Sequence, residues 1–151
     1  MVVLSTMAAL IRNKKARFDY EFKDTFEAGL ELLGTEVKSV RGGQGALDGG
    51  QAIIRGGEAY LVGVYIPPYQ PNNTPKGYDP YRTRRMLMKK SEILALAVTT
   101  QSQPLTIIPI SLYNKGGKIK VEVALCKKKS KHDRRQTLRR KDDEKRIREA
   151  F

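Results

Sequence analysis

The chain contains one cysteine, Cys126, and one histidine, His132, and these two residues limit the chemistry it can do alone. A structural zinc site takes four ligands, so carboxylates or a second chain would have to complete one here. A Ser-His-Asp catalyst would draw its base from a charge-rich C-terminal segment with little to hold it in place. Glu27 and Glu36 offer paired carboxylates, but two glutamates with no further catalytic company read as surface or ion-pair residues. Gly42, Gly43, Gln44 and Gly45 could cradle a phosphate through backbone amides. No Lys-Ser/Thr follows as in a nucleotide-binding loop, so a turn is the simpler reading. The lone cysteine excludes an intramolecular disulfide and fits a reducing cytoplasm. Hydrolase and metalloenzyme chemistry are poorly supported, and nothing calls for a cofactor or a metal.

Positive charge is what the chain has in abundance. Against 16 acidic residues stand 29 Lys and Arg, a net +13 with a pI near 10.0. Residues 127–151 carry 12 basic and 5 acidic side chains, +7, which leaves +6 on residues 1–126. Both parts favour a polyanion. Nucleic acid leads; an anionic membrane surface is weaker, because Leu138, Ile147 and Phe151 make no continuous apolar stripe in the tail. No apolar run approaches the length of a membrane span. The stretch Met7 to Ile11 is followed by its basic residues instead of preceded by them, the wrong order for a secretory signal. Three basic clusters lie in the body: Arg12 to Arg17, Lys38 with Arg41, and Arg82 to Lys90. Asn13 adds a group that can read a base or a sugar, and Arg can fork onto phosphate or stack on a base.

The elements that position these clusters follow from periodicity. "RFDYEFKD" alternates Phe18, Tyr20 and Phe22 with charged residues, a half-buried strand that continues through "TFEAGLELL". "GTEVKSVRGG" predicts a short helix with Thr35 as N-cap, Glu36 in its first turn, Lys38 and Arg41 on one face, and the Gly42-Gly43 pair as its stop. Two hairpins turn at Gly56-Gly57 and Gly116-Gly117. Between them "PPYQPNNTPKGYDPYRTRR" holds five of the seven prolines and predicts a long loop. A second helix follows with Ser91 as N-cap. Five or six short strands and two helices predict a mainly β fold, a small antiparallel barrel of residues 1–126, followed by a basic tail of residues 127–151 that is disordered when free.

Five blocks in register, "NKKARFDYEF", "FEAGLELLGTEVKSVRGGQ", "YDPYRTRRMLM", "LYNKGGKIKVEVAL" and "KHDRRQTLRRKD", resemble the SsrA-binding protein (SmpB) family, from about Ile11 to the C-terminus. That resemblance implies an OB-fold body that binds transfer-messenger RNA (tmRNA) and a tail that engages a stalled bacterial ribosome. It implies a role in trans-translation without catalysis of any bond change, with alanyl-tmRNA bringing elongation factor Tu as a further partner. Carried over by position, it assigns tmRNA binding to Asn13, Lys14, Lys15, Arg17, Glu27, Lys38, Arg41, Arg82, Arg84, Leu87 and Lys89. Leu87 would wedge against or stack on an exposed base, plain core packing being its alternative; Glu27 would hold its neighbours by hydrogen bonds. It assigns the small-subunit decoding centre and mRNA channel to Lys127, Lys128, Lys129, Lys131, His132, Asp133, Arg134, Arg135, Arg139, Arg140, Lys141, Lys145, Arg146 and Arg148, with the His132 ring stacking on a ribosomal base. Phe18, Gln44 and Lys89 depart from the residues usual at those places.

The tail's own charge pattern predicts a helix that needs help. Lys131/Arg135 and Arg135/Arg139 repel at i,i+4, whereas Asp142/Arg146 and Glu144/Arg148 attract, each pair worth only about 0.2–0.5 kcal/mol. Phosphates would remove the repulsion, so the tail is expected to turn helical inside an RNA-walled channel that is open only when no messenger fills it. The alternative from another class is a ribosomal or RNA-chaperone protein whose tail threads ribosomal RNA during assembly.

Overall fold

The structure, a computed structural model, describes residues 9–150 apart from 71 and 73. Met7, Ala8 and Phe151, which figure in the readings above, lie outside the described residues. Seven strands form one antiparallel sheet: β1 (Ala9–Arg12), β2 (Tyr20–Leu30), β3 (Gln51–Arg55), β4 (Glu58–Val62), β5 (Arg84–Leu87), β6 (Thr106–Lys115) and β7 (Lys118–Lys128). Their order is β1-β6-β3-β4-β5-β2-β7, and β7 pairs again with β6. That last pairing closes β3-β4-β5-β2-β7-β6 into a ring, with β1 added along β6: an OB-type barrel. The inside is filled by one apolar cluster that includes Ala28, Leu61, Met86, Leu112, Val121 and Val123.

Both predicted hairpins are present. Gly56 and Gly57 have φ of 59° and 76°, and Gly116 and Gly117 have 60° and 76°. Left-handed backbone at both central positions matches the twist of the flanking strands, and glycine adopts it without strain.

The aromatic strand differs from expectation at its start. Ala16–Asp19 winds into a one-turn helix, α1, so Arg17 and Phe18 precede β2. A register shift between Phe22 and Asp24 interrupts the pairing of β2 with β7. On the near side of this bulge, Tyr20 and Phe22 pack with Ala16, Ile108 and Cys126 in a small second cluster beneath α1. Beyond it, Phe26 packs on the main core. The bulge thus lets one strand serve two apolar clusters.

Among the described residues three further helices follow: α2 (Gly34–Arg41), α3 (Lys90–Ser102) and α4 (Lys131–Ala150). Neither predicted N-cap holds. Leu33 caps α2 and Lys89 caps α3, both by extended backbone. Glu36 does the work expected of Thr35: its Oε1 accepts from the Leu33 N–H at 2.8 Å, satisfying one of the orphan donors of a helix start. At the other end of the chain β7 runs two residues past the predicted body, pairing Lys127 with Glu21 and Lys128 with Tyr20. The tail is a 20-residue helix whose residues from Leu138 to Glu149 are all exposed.

Candidate nucleic-acid interface

Glu36 is the centre around which one basic region is built. It is 1% exposed. The Arg84 Nε donates to its Oε2 at 2.7 Å and the Arg82 Nε donates to the same oxygen at 3.0 Å. A second Arg82 nitrogen donates to Oε1. The Tyr78 hydroxyl lies 3.0 Å from Oε2 and 2.8 Å from the Ile66 carbonyl, and accepts from Arg84 at 3.2 Å. Burial pushes the Glu36 carboxyl up, but the bonds from Arg82, the Leu33 N–H and Arg84 outweigh it and hold the group below its ordinary value. Arg84 spends its remaining donors on the Val64 carbonyl at 2.8 Å and the Pro80 carbonyl at 2.9 Å. The cluster ties α2, β5 and both limbs of the Pro-rich loop together.

Arg84 is therefore a correction to the candidate set. Its side chain is 0% exposed and every part of it is engaged inside the protein. It cannot reach an RNA, and its part is to hold the loop. Arg82 keeps 30% of its side chain exposed while bonded to Glu36, so it sits at the rim of the cluster.

Lys38 and Arg41 are both exposed on α2. Arg41 donates to the Gly117 carbonyl at 2.9 Å, which joins the helix to the β6–β7 turn. Beside that turn a recess of about 240 Å³ is lined by Leu30, Leu32, Val37 and Leu87, with Lys118 and Lys120 among its walls. Leu87 is 48% exposed, which excludes plain core packing for it. Glu27 faces Tyr113, whose hydroxyl donates to Oε2, and Lys115, whose Nζ lies 3.1 Å from Oε1. The bond from Tyr113 is the largest cause that holds the Glu27 carboxyl below its usual range. Burial, then Glu27 itself, pushes the Tyr113 hydroxyl up, so the proton stays on the phenol. Lys89 is exposed at the start of α3.

The first basic cluster lies elsewhere, at the foot of the tail. Asn13 Nδ2 donates to the Pro109 carbonyl at 3.0 Å, so its amide fastens the chain to β6. Lys14, Lys15 and Arg17 are exposed around α1, with the Arg17 guanidinium 4.9 Å from the centroid of Phe22. Lys129 Nζ donates to the Arg17 carbonyl at 2.9 Å and to Thr137 Oγ1 at 3.0 Å, and the Lys129 N–H donates to the Asp19 carbonyl. Arg134 lies 4.0 Å from Asp19, and Lys141 lies over Phe18. Arg41 and Leu87 on one side and Arg17 on the other are thus at opposite ends of β7.

Ser130 and Asp133 start the tail helix. The Ser130 hydroxyl accepts from the Asp133 N–H at 3.1 Å and donates to Asp133 Oδ2 at 2.8 Å. That bond holds the Asp133 carboxyl below its ordinary value. The signal was present as Ser-x-x-Asp. His132 projects from the first turn, exposed, 3.1 Å from Gln136. Lys131, Arg135, Arg139, Arg140, Lys141, Lys145, Arg146 and Arg148 are exposed along the helix. Among the described residues the ion pair within the helix is Lys145 with Glu149 at 4.0 Å, not the two pairs that spacing suggested.

The SmpB protein family model matches residues 10–151. The chain belongs to the SmpB family. It is 42% identical to the SsrA-binding protein of Thermosynechococcus vestitus over 97% of this chain and 96% of that one. It is 43% identical to the SsrA-binding protein of Nostoc punctiforme, over 92% and 90%, and 42% identical to that of Geobacillus thermodenitrificans, over 94% and 91%. A solved structure described as "tmRNA-SmpB: a journey to the center of the bacterial ribosome" superposes with a TM-score of 0.67 at 37% identity, covering 85% of this chain and 94% of that one. The family resemblance and the barrel therefore agree. Among the described residues no helix is long and apolar enough to cross a membrane, and no cluster of ligands could hold a metal.

Proposed function

We propose that this chain binds tmRNA and carries it to bacterial ribosomes stalled without downstream messenger. The barrel binds the tRNA-like domain, and α4 probes the decoding centre and the empty mRNA channel. The observation that carries this reading is the family match from residue 10 to residue 151, which includes both the barrel and the helix beyond it. In this reading the protein positions RNA and catalyses nothing, works in the cytoplasm, and meets elongation factor Tu through alanyl-tmRNA.

The geometry supplies a physical basis. Every residue of α4 from Leu138 to Glu149 is exposed, and Lys141 lies over the Phe18 ring. Helices in proteins owe most of their stability to packing of one face, which an exposed stretch lacks, and the repelling cations here gain most from a wall of phosphates. Folding of the free tail onto RNA then reports an unoccupied channel. Residues 1–126 act as the RNA-recruiting body and 127–151 as the sensing tail, with Lys127 and Lys128 forming the joint.

The test compares the full chain with one ending at Ser130, in tmRNA binding and in tagging of chains stalled on truncated messenger. Normal binding with loss of tagging is the expected result. Loss of tmRNA binding on truncation, or tagging that survives it, overturns the division of labour. Equal occupancy of all small subunits with no affinity for free tmRNA would favour an assembly protein instead.

A further inference from the structure

Tyr69 stands at the start of the Pro-rich loop and is 49% exposed. Its backbone is nonetheless held. Buried Ser39 on α2 donates from its hydroxyl to the Pro67 carbonyl at 2.8 Å, and Pro67 and Pro68 restrict φ just before the ring. The Lys38 ammonium lies 5.9 Å from the ring centroid. On the other limb of the same loop Tyr81 is 58% exposed. It is braced from behind by Tyr65, ring centroids 5.2 Å apart, and its N–H donates to Asp79 Oδ1 at 2.9 Å. Exposed aromatic rings on mobile loops are unremarkable; these two sit on a loop whose limbs are clamped by Glu36, Arg84 and Ser39.

Their charged neighbours decide what would cover them. Lys38 lies over the Tyr69 ring, so that ring is flanked by a cation that phosphate would neutralise, whereas Arg82, next to Tyr81 in sequence, is already paired with Glu36. A fixed aromatic face beside a cation suits an unpaired nucleobase, because every base has a π face to stack and a phosphate attached to it. We propose that Tyr69 is a stacking platform for an unpaired base of the bound RNA, with Lys38 neutralising the adjacent phosphate and Tyr81 offering a second ring. The proposal rests on the tmRNA-binding reading and adds to it a site that none of the basic residues supplies.

The chain has no tryptophan, so Tyr69→Trp places a single tryptophan, which can be excited apart from the tyrosines, on the platform. Titration with the isolated tRNA-like domain of tmRNA is expected to quench it, since stacking on a base does so and remote binding does not. Tyr69→Phe is expected to bind like the parent, whereas Tyr69→Leu, which keeps bulk and loses the π face, weakens binding roughly tenfold. Lys38→Gln is expected to lower the slope of log affinity against log salt by about one. Thermal unfolding of Tyr69→Leu at the parent's temperature separates this effect from misfolding. An unquenched tryptophan, or parent-like binding by Tyr69→Leu, overturns the platform while leaving the tmRNA reading intact. Failure of the unmodified chain to bind the domain overturns both.

Discussion

Replacing Glu36 by glutamine tests whether the buried ion cluster is what holds α2 and the loop in place. Glutamine keeps an acceptor oxygen and the shape of the side chain but strands the Arg84 guanidinium, whose exposure is 0%, without a counter-charge. Breaking a buried pair by removing one partner costs about 3–5 kcal/mol, and the retained oxygen places this case near 3 kcal/mol. For a chain of this length each kcal/mol lowers Tm by about 2–4 °C, so a fall of roughly 6–12 °C is expected at pH 7. That is a large share of the roughly 5–15 kcal/mol that holds a domain together. The carboxyl's folded pKa is depressed, so in acid the unfolded chain binds more protons. Its stabilisation is present above the ordinary value of 4.5 and is lost as pH falls through the folded pKa. The Tm gap between the two proteins should therefore narrow as pH drops below 4.5. Adding Arg84→Met to the variant should recover part of the loss, because the stranded charge is then gone. Thermal unfolding followed by circular dichroism across this pH range reads all three effects. A single variant that melts within about 1 °C of the parent at pH 7, or a gap that stays constant on acidification, would refute the clamp.

Ser130→Ala removes the start of α4 and should cost that helix about 1 kcal/mol. Faster amide exchange in the first turns of the helix, with the barrel unchanged, is the expected signature. Leu87→Ala should change stability by less than about 0.5 kcal/mol, since the side chain is half exposed; a loss of affinity for the tRNA-like domain would then belong to the interface, and unchanged affinity would remove Leu87 from it. Burial pushes the Cys126 thiol up to about 11, so at pH 8 it remains protonated and shielded under α1. Thiol reagents should label it only at the rate of local unfolding, and rapid labelling of the native protein would contradict that packing.

The elements with strong local signals were legible in the sequence. Gly56-Gly57 and Gly116-Gly117 between β-branched runs announce their hairpins, because turn type alone demands those residues. β1, β5 and α1 were not legible, since four residues are too few to show a period. β5 is harder still: its inward positions are Arg84 and Met86, and an arginine facing the interior reads as surface until its partner is known. That partner, Glu36, is 48 positions away, and spacing cannot reveal a pair made by tertiary folding. For the same reason Arg84 sat in a basic cluster on paper and in the core in space. The capping pair Ser130 and Asp133 is legible as Ser-x-x-Asp, within a segment whose dominant local pattern is like-charge repulsion. Where the basic groups fall relative to one another depended on the closed ring of strands, which no local pattern encodes.

Strand β7 gives the protein the character of a calliper. Its first residue, Lys118, stands beside the turn that Arg41 grips, and its last, Lys128, meets the foot of α4. Eleven residues of pleated chain span roughly 30–35 Å. Strand pairing on both flanks leaves that length almost no freedom to change. Any RNA seated at the Arg41 end is consequently held at a set separation from whatever the tail enters. An insertion of two residues in each of β2, β6 and β7 would preserve every side chain's facing and lengthen only the gauge. Such a protein would grip each partner as before and fail only when asked to span both at once.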